Sequence, residues 1–290
     1  MSWPLRRPVD LVRSRLDPSN AVGTLIVLSA VLVLAVGYFL TSTSAGQAGS
    51  QTTSAPADVM TRAQTWVMAN LSPDDRFVTD QQFGSTLRAQ WGRATIHAAD
   101  GPLALGPHDV DYLLLTPALR SLDGPASPVI AQLVAASTDI ADFGAAAETV
   151  EIRQVTTMSQ KQQDRQRDTR GHSQLLAARR LLANPRLNVQ GVPRAVLESG
   201  AVDIRAAAAL AVALDSARIT LLDLPVDSSE RAAGMPARTL HFASSAPKRT
   251  AGAIQGLAKT LAPRTNQRLS DGSVMLRWSP DAYPATTLPS

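Results

Sequence analysis

Three side chains in the first half of the chain could converge on a polar ligand. Asp80 ends the stretch RFVTD, and Thr116 and Arg120 lie in DYLLLTPALR. A carboxylate and a hydroxyl can pair with a sugar hydroxyl, and an arginine offers a planar fork to a phosphate. Both stretches read as short apolar strands that stop at polar groups. In parallel α/β sheets, ligands sit beyond the carboxyl ends of the strands, where loops and helix N-termini meet. The same residues also have a plainer account, in which Thr116 caps the turn that Pro117 opens and Arg120 is a solvated charge. Asp80, Thr116 and Arg120 are therefore candidates for ligand binding, and no residue is assigned a catalytic role.

The remaining motifs carry less. Ser245-Ala246-Pro247-Lys248 fits S-x-x-K, in which a lysine one helical turn away takes the proton of a nucleophilic serine. Pro247 opens that turn between the two, and no K-T-G follows. The run GAIQGLAKT, residues 252–260, spaces its glycines and lysine wrongly for a phosphate loop. His97, His108, His172 and His241 stand in no ligand spacing, and Asp109 and Asp111 lack the glycine and glutamate of a calcium loop. No metal and no cofactor is expected. Cysteine is absent, which excludes disulfides, thiolate metal sites and thiol catalysis.

With 44% hydrophobic and 18% charged residues, the 290-residue chain is globular in composition and long enough for two modest domains. The formal charge is +4, no dense Lys/Arg block exists, and aromatics make up only 4%. Nucleic acid is therefore not an expected partner. Residues 21–40, AVGTLIVLSAVLVLAVGYFL, hold no charge, and as a helix they would reach roughly 30 Å, the thickness of a bilayer's hydrocarbon core. Arg6, Arg7, Arg13 and Arg15 precede the run against Asp10 and Asp17, and no charge follows it until Asp58. The positive-inside bias then places the N-terminus in the cytoplasm and the bulk of the chain outside. A secretory signal has a shorter apolar core, which points to an uncleaved single-pass anchor, although small residues at 43–48 leave cleavage open.

Beyond the anchor, the order of elements is that of a parallel sheet covered by helices. Apolar residues at helical spacing from Val59 to Leu71 precede RFVTD. A helix over residues 83–91, the strand ATIHAA, the strand DYLLLT, the helix PVIAQLVAAS and the strand ETVEIRQV follow. A polar stretch, SQKQQDRQRDTRG, with Lys161, Asp164 and Arg167 at three-residue steps, reads as a solvated helix or linker and gives way to a second set of helices and strands that closes with a hairpin signal at Asp271-Gly272. The expected fold is α/β, with one transmembrane helix followed by two extracytoplasmic Rossmann-like domains. Residues 1–20 would be a cytoplasmic tail, 21–40 the span, 41–57 a flexible tether, 58–156 the first domain, 157–171 a polar linker and 172–290 the second domain. WVMANLSPDDRFVTDQQFGSTLRAQWG and LLANPRLNVQGVPRAVLESG share an order of helix, turn, strand and helix, a faint sign of duplication.

Trp66, Asn70, Pro73, Asp80, Leu87, Asp111, Tyr112, Thr116 and Arg120 also carry a resemblance. Residues 60–145 look like the extracytoplasmic region of actinobacterial membrane glycosyltransferases, and LLANPRL and LESGAVDIRAAAALAVAL resemble a module of actinobacterial surface proteins. Those glycosyltransferases have many spans and a carboxylate near the membrane, neither of which is present here. The resemblance therefore implies an accessory module rather than transferase activity. The expected function is that of a non-catalytic, membrane-anchored protein of the cell envelope, binding a partner protein or a polysaccharide during surface polysaccharide assembly or export. The alternatives are an extracytoplasmic hydrolase or transferase, and the outer part of a membrane sensor complex.

Overall fold

The computed structural model describes residues 55–92, 94–99, 103–122 and 126–284, which belong to one compact unit. Helix α1 (Ala57–Asn70) presents Val59, Ala63, Trp66 and Val67 to the core. The Ser-Pro-Asp-Asp turn ends it, with the Asp75 carboxylate accepting from the Ser72 N–H (2.8 Å). Strand β1 (Arg76–Thr79) runs into α2 (Gln81–Trp91), and β2 (Thr95–Ala98) and β3 (Tyr112–Leu115) follow. After β3 come the single turn α3 (Pro117–Arg120), α4 (Ser127–Ala135), β4 (Ser137–Phe143) and β5 (Val150–Val155). The sheet order is β2-β1-β3-β5-β4. Its two faces alternate by residue, as a pleated strand requires. Phe77, Leu114 and Ile152 join α1 and α2 in one core, while Val78, Leu113 and Leu115 join α3 and α4 in another.

The second lobe begins with α5 (Gln160–Leu182), opened by a reciprocal capping box of Ser159 and Gln162. It continues through β6 (Leu187–Asn188), α6 (Gly191–Glu198), α7 (Ile204–Ser216), β7 (Ile219–Asp223) and α8 (Ser228–Ala232). Strand β8 (Thr239–Ser244), α9 (Pro247–Gln255), β9 (Thr265–Arg268) and β10 (Val274–Arg277) complete it. The order is β6-β7-β8-β10-β9. Leu221, Leu240, Phe242, Leu276 and Trp278 pack with α5, α6, α7 and α9 into a single core.

The expected fold class is corrected on two counts. Among the described residues no helix is long and apolar enough to cross a membrane. The run at 21–40, expected as the span, lies outside the described residues, as do the tail at 1–20 and most of the tether. The lobes are also not Rossmann-like parallel sheets. In the first, β1 is parallel to β2 and β3, but β5 is antiparallel to both β3 and β4. In the second only β6 and β7 are parallel. The cause is STDIADF, which carries no expected strand between the helix PVIAQLVAAS and the strand ETVEIRQV but forms β4. Only residues 144–149 separate it from β5, too few for the crossover a parallel pair needs. Gly144 makes that turn at φ +89°, and a Cβ there would lie 3.1 Å from the Glu148 carbonyl oxygen. Residues 160–171, expected as a linker, are the first half of α5, whose later half packs on α7.

Three pieces sew the lobes together. Helix α8 packs on the edge strand β4, and Met235 enters the first lobe's core. The tail after β10 returns to the first sheet, where the Ala282 N–H donates to Gln154 (2.6 Å) and the Tyr283 hydroxyl meets Thr138 and Gln163. The third piece is a buried polar knot. Glu230 accepts from the indole N–H of Trp66 (3.0 Å) and from Nε of Arg238 (2.7 Å), while Arg238 also donates to the Asn70 side chain (2.7 Å) and the Trp278 carbonyl.

Candidate functional site

Asp80 and Thr116 meet at the carboxyl ends of the neighbouring parallel strands β1 and β3. Asp80 is the N-cap of α2, with its Oδ1 accepting from the Phe83 N–H (2.8 Å). Thr116 is the N-cap of α3, its hydroxyl accepting from the Leu119 N–H (3.2 Å). The same hydroxyl donates to Asp80 Oδ2. Both residues are buried, at 8% and 1% exposure, so each polar group here is satisfied by another part of the fold.

Arg120 does not join them. Its guanidinium turns to the start of β5, which lies beside the end of β3, donating to the Thr149 carbonyl (2.6 Å) and to Glu151 (2.7 Å). There it belongs to a charged group on the α3/α4 face of the sheet, with Glu151, Arg153, Asp139 and Asp142. Arg153 donates to Glu151 (2.6 Å), to the Ser137 hydroxyl (2.9 Å) and to Asp139. Asp139 and Asp142 are three apart and would ordinarily point to opposite faces of a strand. The irregularity at Ile140 shifts the register, so that Asp139 sits opposite Arg153 and Asp142 opposite Glu151.

The environment splits these carboxylates. Burial pushes Asp142 up to about 6, and the charges of Asp139 and Glu151 add to the shift. Its Oδ1 is buried with no hydrogen-bond partner among the described residues. Burial alone would raise Glu151 too, but the hydrogen bond from Arg153 and the charge of Arg120 outweigh it and hold Glu151 below the usual glutamate range. Glu151, Arg153, Asp139 and Asp142 were not among the residues singled out from sequence. The alternation of Glu151 and Arg153 in ETVEIRQV was the available signal, and the bulge disguised the rest.

The other motifs are placed apart. The Ser245 hydroxyl accepts from the Arg218 N–H (3.1 Å) and makes no hydrogen bond with Lys248. Lys248 instead lines an open cleft of about 430 Å³ with Arg249 and Arg268. Asp111 takes a two-pronged ion pair from Arg76 (2.9 and 3.0 Å). Among the described residues no group of three or more His, Asp or Glu side chains could hold a metal ion. A larger cleft of about 460 Å³ opens between α5 and α7, where Ala207, Ala208 and Ala211 leave room opposite Leu176, Leu181 and Arg180. Comparison with protein-family models, with curated proteins and with solved structures found no match to this chain.

Proposed function

We propose that this protein is a non-catalytic accessory module of the cell envelope that binds a partner protein or a surface polysaccharide. The observation that carries the reading is the bonding of the strand-end groups. Asp80 and Thr116 occupy the position where α/β proteins place ligands, yet they are spent on each other and on two helix caps. Sewing two lobes into one body suits a rigid binding surface. The resemblance of residues 60–145 to extracytoplasmic regions of glycosyltransferases, and the uncharged run at 21–40, support the envelope location. The test is pull-down of the full chain, detergent-solubilised from its native cells, with protease added to intact cells in parallel. Recovery of polysaccharide-assembly or export proteins and cleavage of the C-terminal bulk are expected. A C-terminal bulk that resists external protease while labelling from the cytosol would overturn the reading.

A second reading, an extracytoplasmic hydrolase or transferase, is favoured by one observation. Asp142 and Glu151 face the same side of adjacent strands, one with its proton affinity raised and the other with it lowered. That is the division of labour a general acid and its partner carboxylate require. Turnover of an envelope glycan by the purified chain, lost in Asp142→Asn, would establish this reading over the first.

A further inference from the structure

The seam between the lobes carries an arginine that its surroundings leave short of an acceptor. Arg277 ends β10, opposite Thr239 on one side and Thr265 on the other. Its side chain is 38% exposed, but its Nε is buried and meets no hydrogen-bond partner among the described residues. The nearest carboxylate oxygen, Glu230 Oε1, is 3.7 Å from Nη2 and already accepts from Trp66 and Arg238. Asp227 lies in the same region, with its Oδ1 taken by the Ser229 N–H (2.9 Å) and hydroxyl (2.6 Å). Arg264 brings a third guanidinium, which donates to the carbonyls of Asn70 and Leu71.

Burial lowers the proton affinity of Arg277, and the charges of Arg238 and Arg264 lower it further, against the opposing pull of Glu230 and Asp227. A guanidinium in this position is partly desolvated, repelled by two like charges and missing one bond. An anion at the exposed guanidinium nitrogens would offset the repulsion and the desolvation, while the buried Nε stays out of its reach. Arginine suits the task because its fork can hold two oxygens of one group. We propose that the seam at Arg277 is a binding site for a single oxyanion group, a phosphate or carboxylate carried by a small molecule or polymer. Arg277 would contact it directly, and Arg264 and Arg238 would supply the surrounding positive field. The site is independent of Asp80, Thr116 and the Asp142 cluster, and it stands whether the module is an accessory protein or an enzyme.

The experiment is thermal unfolding of the full chain in detergent at constant ionic strength, titrated with inorganic phosphate, with acetate, and with chloride as the control. A saturable rise in Tm with phosphate or acetate, absent with chloride, is expected. A response to phosphate alone marks the ligand as phosphate-bearing, and a response to acetate alone as carboxylate-bearing. Arg277→Gln should abolish the rise, while Arg194→Gln, at an exposed arginine on α6, should keep it. Arg277→Lys keeps the charge and loses the fork, and should weaken binding by about tenfold or more, the worth of one charge-assisted hydrogen bond. It also serves as the deciding variant if Arg277→Gln fails to fold. A response that chloride reproduces, that does not saturate, or that Arg277→Lys leaves at wild-type affinity overturns the proposal.

Discussion

Glu230 gives the sharpest test of what holds the lobes together. It is 2% exposed, and so is its partner Arg238. Its two oxygens accept from the Trp66 indole and from two nitrogens of Arg238. Glu230→Gln preserves the shape but removes the charge, turns one acceptor into a donor facing other donors, and leaves Arg238 buried without its counter-ion. Removing one partner of a buried pair costs about 3–5 kcal/mol, against about 0–1 kcal/mol for an exposed pair. Each kcal/mol lowers Tm by about 2–4 °C in a unit of this size, so a fall of roughly 6–20 °C is expected. Glu198→Gln, which breaks the exposed i,i+4 pair with Arg194 on α6, worth about 0.3–0.5 kcal/mol, should lower Tm by about two degrees at most. Replacing both buried charges, as Glu230→Leu with Arg238→Met, leaves no fully buried ion unpaired, although half-exposed Arg277 loses its nearest carboxylate, and should be less damaging than either single change. Differential scanning calorimetry and urea melts of the full chain measure all of these. A Glu230→Gln variant within about 1 kcal/mol of wild type, or a double variant worse than both singles, would refute the seam as a coupled ion network.

Other perturbations test the rest. Asp142 holds its proton up to about pH 6 when folded, well above the unfolded value of 3.8. The stability it contributes is therefore present below about pH 4 and lost as pH rises through 6. Asp142→Asn should flatten that part of the urea-melt profile, and a carbon-13 NMR titration placing Asp142 near 4 would contradict the prediction. Asp80→Ala removes a buried cap and strands the Thr116 hydroxyl, costing about 2–3 kcal/mol in the same melts. A loss under about 0.5 kcal/mol would mean the pair is not satisfied as described. Gly144→Ala forces a Cβ to 3.1 Å from a carbonyl oxygen at positive φ, whereas Gly272→Ala, at φ +82°, meets no heavy atom closer than 4.0 Å. The first should cost more than the second, each at least about 1 kcal/mol, and the reverse order would discount the close approach.

What was legible in the sequence was local. The short apolar runs RFVTD and DYLLLTP announce β1 and β3, Thr116 before Pro117 announces the cap of α3, and Asp271-Gly272 announces the β9–β10 hairpin. Asp80 and Thr116 are strand-end residues in the sequence, and the pairing of β1 with β3 brings them into contact with each other but not with Arg120. Strand β4 was hidden because its bulge breaks the period of two that marks a strand, placing buried Ile140 next to buried Ala141. That single miss turned a mixed sheet into an expected parallel one and separated Arg120 from the carboxylates it serves. Helix α5 was legible only in part. Its first half is so polar that it reads equally as a solvated helix or a linker, and the capping box and the packing of its later half on α7 hold it as a helix.

The seam explains why some residues stand out without doing chemistry. Trp66 and Asn70 sit on α1 and carry part of the resemblance to envelope glycosyltransferases. Here both are buried, one donating to Glu230 and the other accepting from Arg238, across 164 and 168 positions of chain. A tryptophan and an asparagine one helical turn apart are what a helix needs to present an apolar face with a polar tip to a second lobe. The two lobes also end alike. Each closes with a strand, a helix and a hairpin whose last strand inserts between the other two, as β3-β5-β4 and β8-β10-β9. Their beginnings differ, since β1 lies inside its sheet and β6 at an edge. Whatever relation the lobes have therefore rests on their closing units, whereas the opening segments that look alike in sequence have taken different places. The opening helix of the first lobe has become the strut that meets the second, and Arg277 is left at that junction with a donor to spare.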